Sequence, residues 1–397
     1  MLGRHAERYP TRSVGIRMKD LTARLQHVLP FLEGWSQFFD VSDDGSSTHL
    51  EELTTMGKYS GIKQAQLAGM VLRTRYDHLV DPDVIVSIFS CSCSRVFATA
   101  QNFAIGFFGR SGLADVRHVV IPDHAPERGG DTLTPVKACL RYRQDALAGR
   151  TASYDIADKF KSVYLSETAT RLQSVYDHQF TVSDLWTMQE LCAFEMLATG
   201  QDSPWCGIFT DREWEQFAYA RDLLHYYRTG PGTPYSAVMG FLYLNATREV
   251  LELGPERAGK LFFSFAHDGD IVPLIGTLGL FPETDHLPHT HMPESRSWKL
   301  SSVVPMGGRI VLERVRHGSQ IGVRILVNDG VVVMPGCESE TTPAGICPLS
   351  KFVAIVDEKG KQIGNFEDVC GLDDKVGRRP SFLTHNWDHG PGVVHLS

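Results

Sequence analysis

No stretch of this chain is apolar for the roughly 20 consecutive residues that a membrane-crossing helix needs. Basic residues are not in surplus either: 39 Lys and Arg stand against 47 Asp and Glu, a formal charge of −8. A surface that tracks a nucleic-acid backbone needs a clustered basic excess, so that class of partner is excluded. There is no internal repeat, no low-complexity tract and no linker between independent modules, which removes solenoids and disordered tails. The first residues lack the charged region and apolar core of a secretory signal peptide. Eight cysteines in 397 residues are too few to build a disulfide scaffold.

What remains is an ordinary globular composition, 42% apolar and 22% charged, long enough for two domains or for one with substantial insertions. Residues 84–89 form a β-branched, apolar run after Asp81-Pro82-Asp83, and Val96, Ala100, Phe103 and Phe107 follow at helical spacing. That is a strand, a turn and a helix, with Arg95 at the turn, where residues face the crevice of an open α/β sheet. Residues 119–121 and 261–266 read as further strands, the second delivering His267-Asp268 at its end, and a helix starts near Asp270. Residues 20–75 and 140–228 are rich in helical periodicity, and Thr210-Asp211-Arg212-Glu213 is a capping box. From Leu300 onward Val303 and residues 310–315, 323–327 and 331–334 are strand-like, with a hairpin signal at Asn328-Asp329-Gly330.

Chemistry concentrates in two places. The run Arg4-His5-Ala6-Glu7-Arg8-Tyr9-Pro10 sets one imidazole between two guanidinium groups. An imidazole that attacks phosphorus needs fixed cations beside it, because the phosphoryl oxygens carry charge that redistributes in the transition state. His267-Asp268 at a strand end adds a second imidazole and a carboxyl group. Together with the segment 89–96 around Arg95, Leu133-Thr134-Pro135, Val304-Pro305-Met306-Gly307-Gly308 and the stretch from Cys337 to Leu349, these residues resemble the histidine acid phosphatases, in particular the fungal secreted and phytase-B-like members.

The resemblance implies a mixed central sheet flanked by helices, with an inserted, mostly helical cap. The single unit 1–397 would divide into an α/β core at about 1–16, 80–135 and 229–397 and a cap at about 17–79 and 140–228. It implies an acid phosphatase in which His5 forms a phosphohistidine, Arg4, Arg8, Arg95 and His267 hold the phosphate, and Asp268 protonates the leaving alkoxide. Neither a cofactor nor a metal is required. Phosphomonoesters are the expected substrates, with phytase action on inositol phosphates as the alternative and an impaired phosphate-binding homologue as the rival of another class. Glu195 matches an acidic substrate-pocket position, where it would disfavour highly anionic substrates at neutral pH. Cys192 with Cys206, Cys337 with Cys347 and Cys139 with Cys370 match disulfide positions, which leaves Cys91 and Cys93 free or missing a partner.

Members of this family carry a signal peptide and further residues before the arginine-histidine motif, including the strand leading into it. The chain is therefore expected to be an N-terminally truncated form of a secreted parent, with an intracellular protein as the alternative. The sequon Asn245-Ala246-Thr247 favours the secreted parent as a glycoprotein, and homo-oligomer formation is left open. Ala6 stands where the family pattern has glycine; at positive φ its methyl group would strain the loop and reduce activity. Two other motifs carry no function. Residues 254–260 have P-loop spacing, yet Leu261 replaces the needed hydroxyl residue and the segment runs from helix to strand. Asp285, His286, His289 and His291 contain chelating groups without a second cluster.

Overall fold

The protein is described by a computed structural model, which covers residues 1–33, 37–39, 41–42, 47, 49–123, 125, 128–372, 383 and 393–395. Four parallel strands form its centre: β1 (Leu2–Arg4), β2 (Val86–Cys91), β3 (Val116–Ile121) and β4 (Phe263–Ala266). An antiparallel set continues the sheet on one side: β5 (Arg309–His317), β6 (Gln320–Val327), β7 (Gly330–Val332) and β8 (Ile346–Pro348). With β9 (Val393–His395), the order is β7-β6-β5-β1-β4-β2-β3-β9, and β8 pairs with β6. Parallel strands are usually buried on both faces; β4 is buried along its whole length and β2 at all but Ser87.

The strand expected before the arginine-histidine motif is residues 2–4 themselves. Leu2 pairs with Ser264 and Ile310, and Arg4 with Ala266, so this short strand lies between β4 and β5 in the middle of the sheet. The nitrogen of Met1 donates to the Phe262 carbonyl and its oxygen accepts from Ser264, extending that pairing by one residue. The expectation that the motif lacks a strand to hold it is therefore corrected.

Helices α1 (Arg12–Leu25), α2 (Gly61–Tyr76) and α3 (Ser94–Phe108) follow the first two strands. On the inner face of α3, Phe103 and Phe107 meet Phe263 of β4 with ring centroids 4.9 Å apart in each case. Aromatic pairs of this kind add about 0.5–1.5 kcal/mol beyond their buried area. Helix α2, which the sequence pattern placed with the cap, lies on α3 instead. Gly106 lets the two backbones touch, since a Cβ there would sit 1.9 Å from the Gln66 carbonyl oxygen.

The cap is built from α4 (Ala152–Tyr176), α5 (Val182–Thr199) and α6 (Asp211–Arg228). Phe160 and Tyr219 pack edge to face at 4.9 Å, and Arg171 of α4 binds Glu213 of α6. The expected capping box forms: Thr210 accepts from the Glu213 nitrogen and the Glu213 carboxylate accepts from the Thr210 nitrogen. Helix α1 docks on α5 through Arg17 to Glu190 and Arg24 to Asp184. Behind the sheet, α7 (Ser236–Leu253) packs on α8 (Asp268–Leu278) and α9 (Leu349–Ile363).

Other expectations shift in detail. The hairpin forms with Asn328 and Asp329 both at positive φ, as a mirror-image turn requires. Val303 belongs to a single helical turn, Leu300–Val303, rather than to a strand, and the run at 331–334 pairs only as far as Val332. Residues 254–260 run from helix into strand with both glycines at positive φ. Most of the expected core beyond residue 372 lies outside the described residues. The contact between α2 and α3 makes Gly106→Ala a costly change: its thermal midpoint is expected to fall by about 4 °C or more in a melting experiment, and an unchanged midpoint would remove the close-packing account.

Candidate active site

Strand ends bring the chemistry together. Arg4 closes β1, His267 follows β4, and Cys93 and Arg95 open α3 directly after β2. These are the C-terminal ends of three adjacent parallel strands, where an open α/β sheet forms its crevice. Arg4 is nearly buried; its nitrogen donates to Gly308 at 2.8 Å and its Nη1 to the Val304 carbonyl at 2.7 Å. The Gly307 nitrogen in turn donates to the His5 carbonyl at 2.9 Å, so the segment 304–308 clamps the motif.

The His5 ring is 2% exposed, and its Nδ1 lies 2.9 Å from the Ala6 carbonyl oxygen. A carbonyl only accepts, so Nδ1 carries the proton and Nε2 keeps a lone pair. Burial, reinforced by Arg4, Arg8 and His267, holds this imidazole well below its usual pKa. It is a neutral imidazole of defined tautomer. Burial and the charges of Arg95 and Arg4 pull Arg8 down to about 9, and its guanidinium lies 5.7 Å from the Phe194 ring. The Nε atoms of Arg4, Arg8 and Arg95 are buried without a hydrogen-bond acceptor. Three such cations close enough to repel one another, two of them beside His5, form a site suited to an anion.

Ala6 resolves the glycine question. Its φ is not positive, its nitrogen donates to Thr99 Oγ1 at 3.0 Å, and its methyl group packs with Leu53 and Ala65. The backbone strain that would impair the loop is absent, which is the milder of the two cases for this substitution. The glycine this loop needs is Gly61, where a Cβ would sit 1.9 Å from the Glu7 carbonyl oxygen.

Asp268 starts α8 and binds Arg4 through Oδ2 at 2.9 Å, while its Oδ1 accepts from the Gly269 nitrogen at 2.7 Å. Burial would raise its pKa, yet Arg4, His225 and Arg228 hold it well below the carboxylate range. His225 of α6, 1% exposed, places Nε2 3.1 Å from Asp268 Oδ2 and Nδ1 3.1 Å from the Arg221 carbonyl. Burial pulls His225 towards its neutral form. The two directions oppose a proton on both partners at once, so His225 and Asp268 act as one pair joined by a hydrogen bond whose proton either can hold. Sequence reading missed His225, because a lone histidine among Leu223, Leu224 and Tyr226 on a helix looks like core. It also missed Thr99 and Arg228.

Glu195 does not present an open carboxylate. It is buried and accepts from the Ser203 hydroxyl beside the Cys192–Cys206 disulfide, so its helix contributes Phe194 to the site instead. The disulfides Cys139–Cys370, Cys192–Cys206 and Cys337–Cys347 are formed, while Cys91 and Cys93 are free. Asn245 lies in the middle of α7, its amide tied to Arg248 and Glu249. His286 stacks on Tyr227 and makes a hydrogen bond with Tyr226.

The comparisons with known proteins agree with this geometry. A family model described as histidine phosphatase superfamily, branch 2, matches residues 1–328. A phytase of Candida albicans is 31% identical over 98% of this chain and 83% of its own length. An acid phosphatase of Komagataella pastoris is 32% identical over 98% of the chain and 82% of its own length. The crystal structure of a phytase from D. castellii superposes with a TM-score of 0.85 at 28% identity, covering 95% of this chain and 81% of that one.

Two measurements probe the site's construction. Ala6→Gly should leave turnover within about twofold, since no strain is released; a gain of about tenfold, worth some 1.4 kcal/mol, would show that the methyl group obstructs. Asp270 accepts from the His267 nitrogen, and burial raises it to about 7. A carboxyl group raised above its unfolded value stabilises the fold while protonated, and that contribution fades as pH climbs from about 4 to 7. Asp270→Asn should therefore raise the melting temperature relative to the parent more at about pH 8 than at about pH 4; an equal shift at both would discount the buried proton.

Proposed function

The chain belongs to branch 2 of the histidine phosphatase superfamily, and on that premise we propose that it is an acid phosphatase working through a phosphohistidine at His5. The observation that carries the reading is the grouping of buried Arg4 with half-buried Arg8 and Arg95, each with an Nε that has no acceptor, beside a neutral imidazole whose Nδ1 proton is already committed. Nε2 of His5 attacks phosphorus while the arginines and His267 hold the non-bridging oxygens. Planar guanidinium groups suit this, since each can bind two oxygens and stays charged.

Asp268 supplies the leaving-group proton. In the resting site that proton is shared with His225, and Arg4 favours the ionised carboxylate. An arriving phosphate draws on the charge of Arg4 and adds negative charge beside Asp268, so the proton moves onto the carboxyl group when it is needed. The P–O bond breaks, the alkoxide takes the proton from Asp268, and the carboxylate then accepts a proton from the water that hydrolyses the phosphohistidine.

A phytase activity is the second reading. Arg221 and Arg228 add positive charge near Arg4 and Asp268, more than one phosphate requires, and phytases are among the similar proteins. The ratio of turnover on inositol hexakisphosphate to that on p-nitrophenyl phosphate decides between the two. Three disulfides fit folding in an oxidising compartment, which supports export of the protein. Among the described residues no helix is long and apolar enough to cross a membrane.

The role of Asp268 is tested by leaving-group dependence. Asp268→Asn should lose about 10²–10⁴-fold on an alkyl phosphate and much less on p-nitrophenyl phosphate, whose leaving group needs little protonation. Equal losses on both would remove Asp268 as the acid. Rapid quenching should trap an acid-labile phosphoenzyme in the parent and none in His5→Ala.

A further inference from the structure

We propose that Cys91, Cys93 and His267 form a binding site for one thiophilic divalent cation of the zinc class, and that filling it halts phosphoryl transfer by withdrawing His267 from the phosphate. The second half rests on the role given to His267 above; the first does not. Cys91 ends β2, Cys93 precedes α3, and His267 follows β4, the strand that pairs with β2 at Ser90 and Phe265. Backbone pairing thus fixes the spacing of the three side chains. Their ligand atoms all lie within 4.8 Å of one another, and Cys91 Sγ is 3.8 Å from His267 Nε2.

Tetrahedral zinc, with bonds of about 2.3 Å to sulfur and 2.0–2.1 Å to nitrogen, sets sulfur and nitrogen about 3.5 Å apart. A contraction of a few tenths of an ångström would bring Cys91 and His267 to that spacing. Two thiolates balance the charge of a divalent ion despite the nearby Arg95, and soft sulfur ligands select zinc or cadmium over magnesium or calcium. Three protein ligands leave one position open for water or an anion. Asp270 accepts from the His267 backbone nitrogen at 3.2 Å and fixes where that residue leaves the strand. Binding releases the thiol protons to solvent and involves no redox change. With the imidazole nitrogen coordinated, one of the four groups that hold the phosphoryl oxygens is lost.

The other six cysteines are in disulfides, so a thiolate-to-metal charge-transfer band can arise only from this pair. The purified chain, disulfides intact and in phosphate-free buffer, is titrated with cadmium chloride while ultraviolet absorbance and turnover of p-nitrophenyl phosphate are followed. The expected result is a band saturating at one cadmium per chain, a parallel fall in turnover and recovery of both with a chelator. In Cys91→Ser/Cys93→Ser the band should vanish and turnover should persist at the same cadmium concentration. Cys93→Ser alone should weaken binding by about tenfold or more, which keeps the test open should the double variant fail to fold. No band, or equal inhibition of the double variant, overturns the site; a saturating band with undiminished turnover overturns the inhibition. If the parent hydrolyses nothing, the phosphatase reading fails, while the band still decides the metal site.

Discussion

Three guanidinium groups, Arg4 buried and Arg8 and Arg95 half-buried, repel one another near the ends of adjacent strands, and much of the site's design follows from holding them there. Arg4 is fixed by two carbonyls of the segment 304–308 and by Asp268, while Arg8 and Arg95 keep Nε atoms that find no acceptor in the protein. Burying unpaired charge is costly, and the cost is recovered when an anion enters. Burial, reinforced by that field, keeps His5 neutral, and Arg4, His225 and Arg228 hold Asp268 well below the usual carboxylate range. His5, the arginines and Asp268 are thus one electrostatic system.

The sheet tolerates this tension because its neighbours are rigid. Strand β1 is only three residues long, yet it lies between β4 and β5, and Phe103 and Phe107 of α3 hold β4 from one face. Helix α3 also supplies Arg95 and, through Thr99, the hydroxyl that fixes the Ala6 nitrogen. Packing of α2 on α3 through Gly106 therefore bears on the site as well as on stability. From the other side, α6 of the cap delivers His225 to Asp268. Cap and core meet at Asp268.

Part of the site was legible in the sequence because it is local. Arg4, His5 and Arg8 lie within five residues, His267 and Asp268 are adjacent, and the strand-turn-helix around Arg95 follows from β-branched residues giving way to helical spacing. The capping box at Thr210 and the hairpin at Asn328 are equally local, and both formed. Disulfide pairing was legible only through the resemblance, since spacing alone leaves many connectivities.

What the tertiary structure decided is what depends on distance across the fold. His225 meets Asp268 over 43 positions, and Cys91 meets His267 over 176; neither contact leaves a periodic trace. Glu195 was read as a pocket carboxylate and turned inward to Ser203, because a helical position does not say which neighbour a side chain will find. The sequence by itself determined which groups are available, an imidazole between two guanidinium groups and a second imidazole beside a carboxyl group, and the resemblance those runs carry points to phosphoryl transfer. Protonation state, the fit of Ala6 and the partner of the acid were decided by burial and by contacts between strands and helices far apart in the chain.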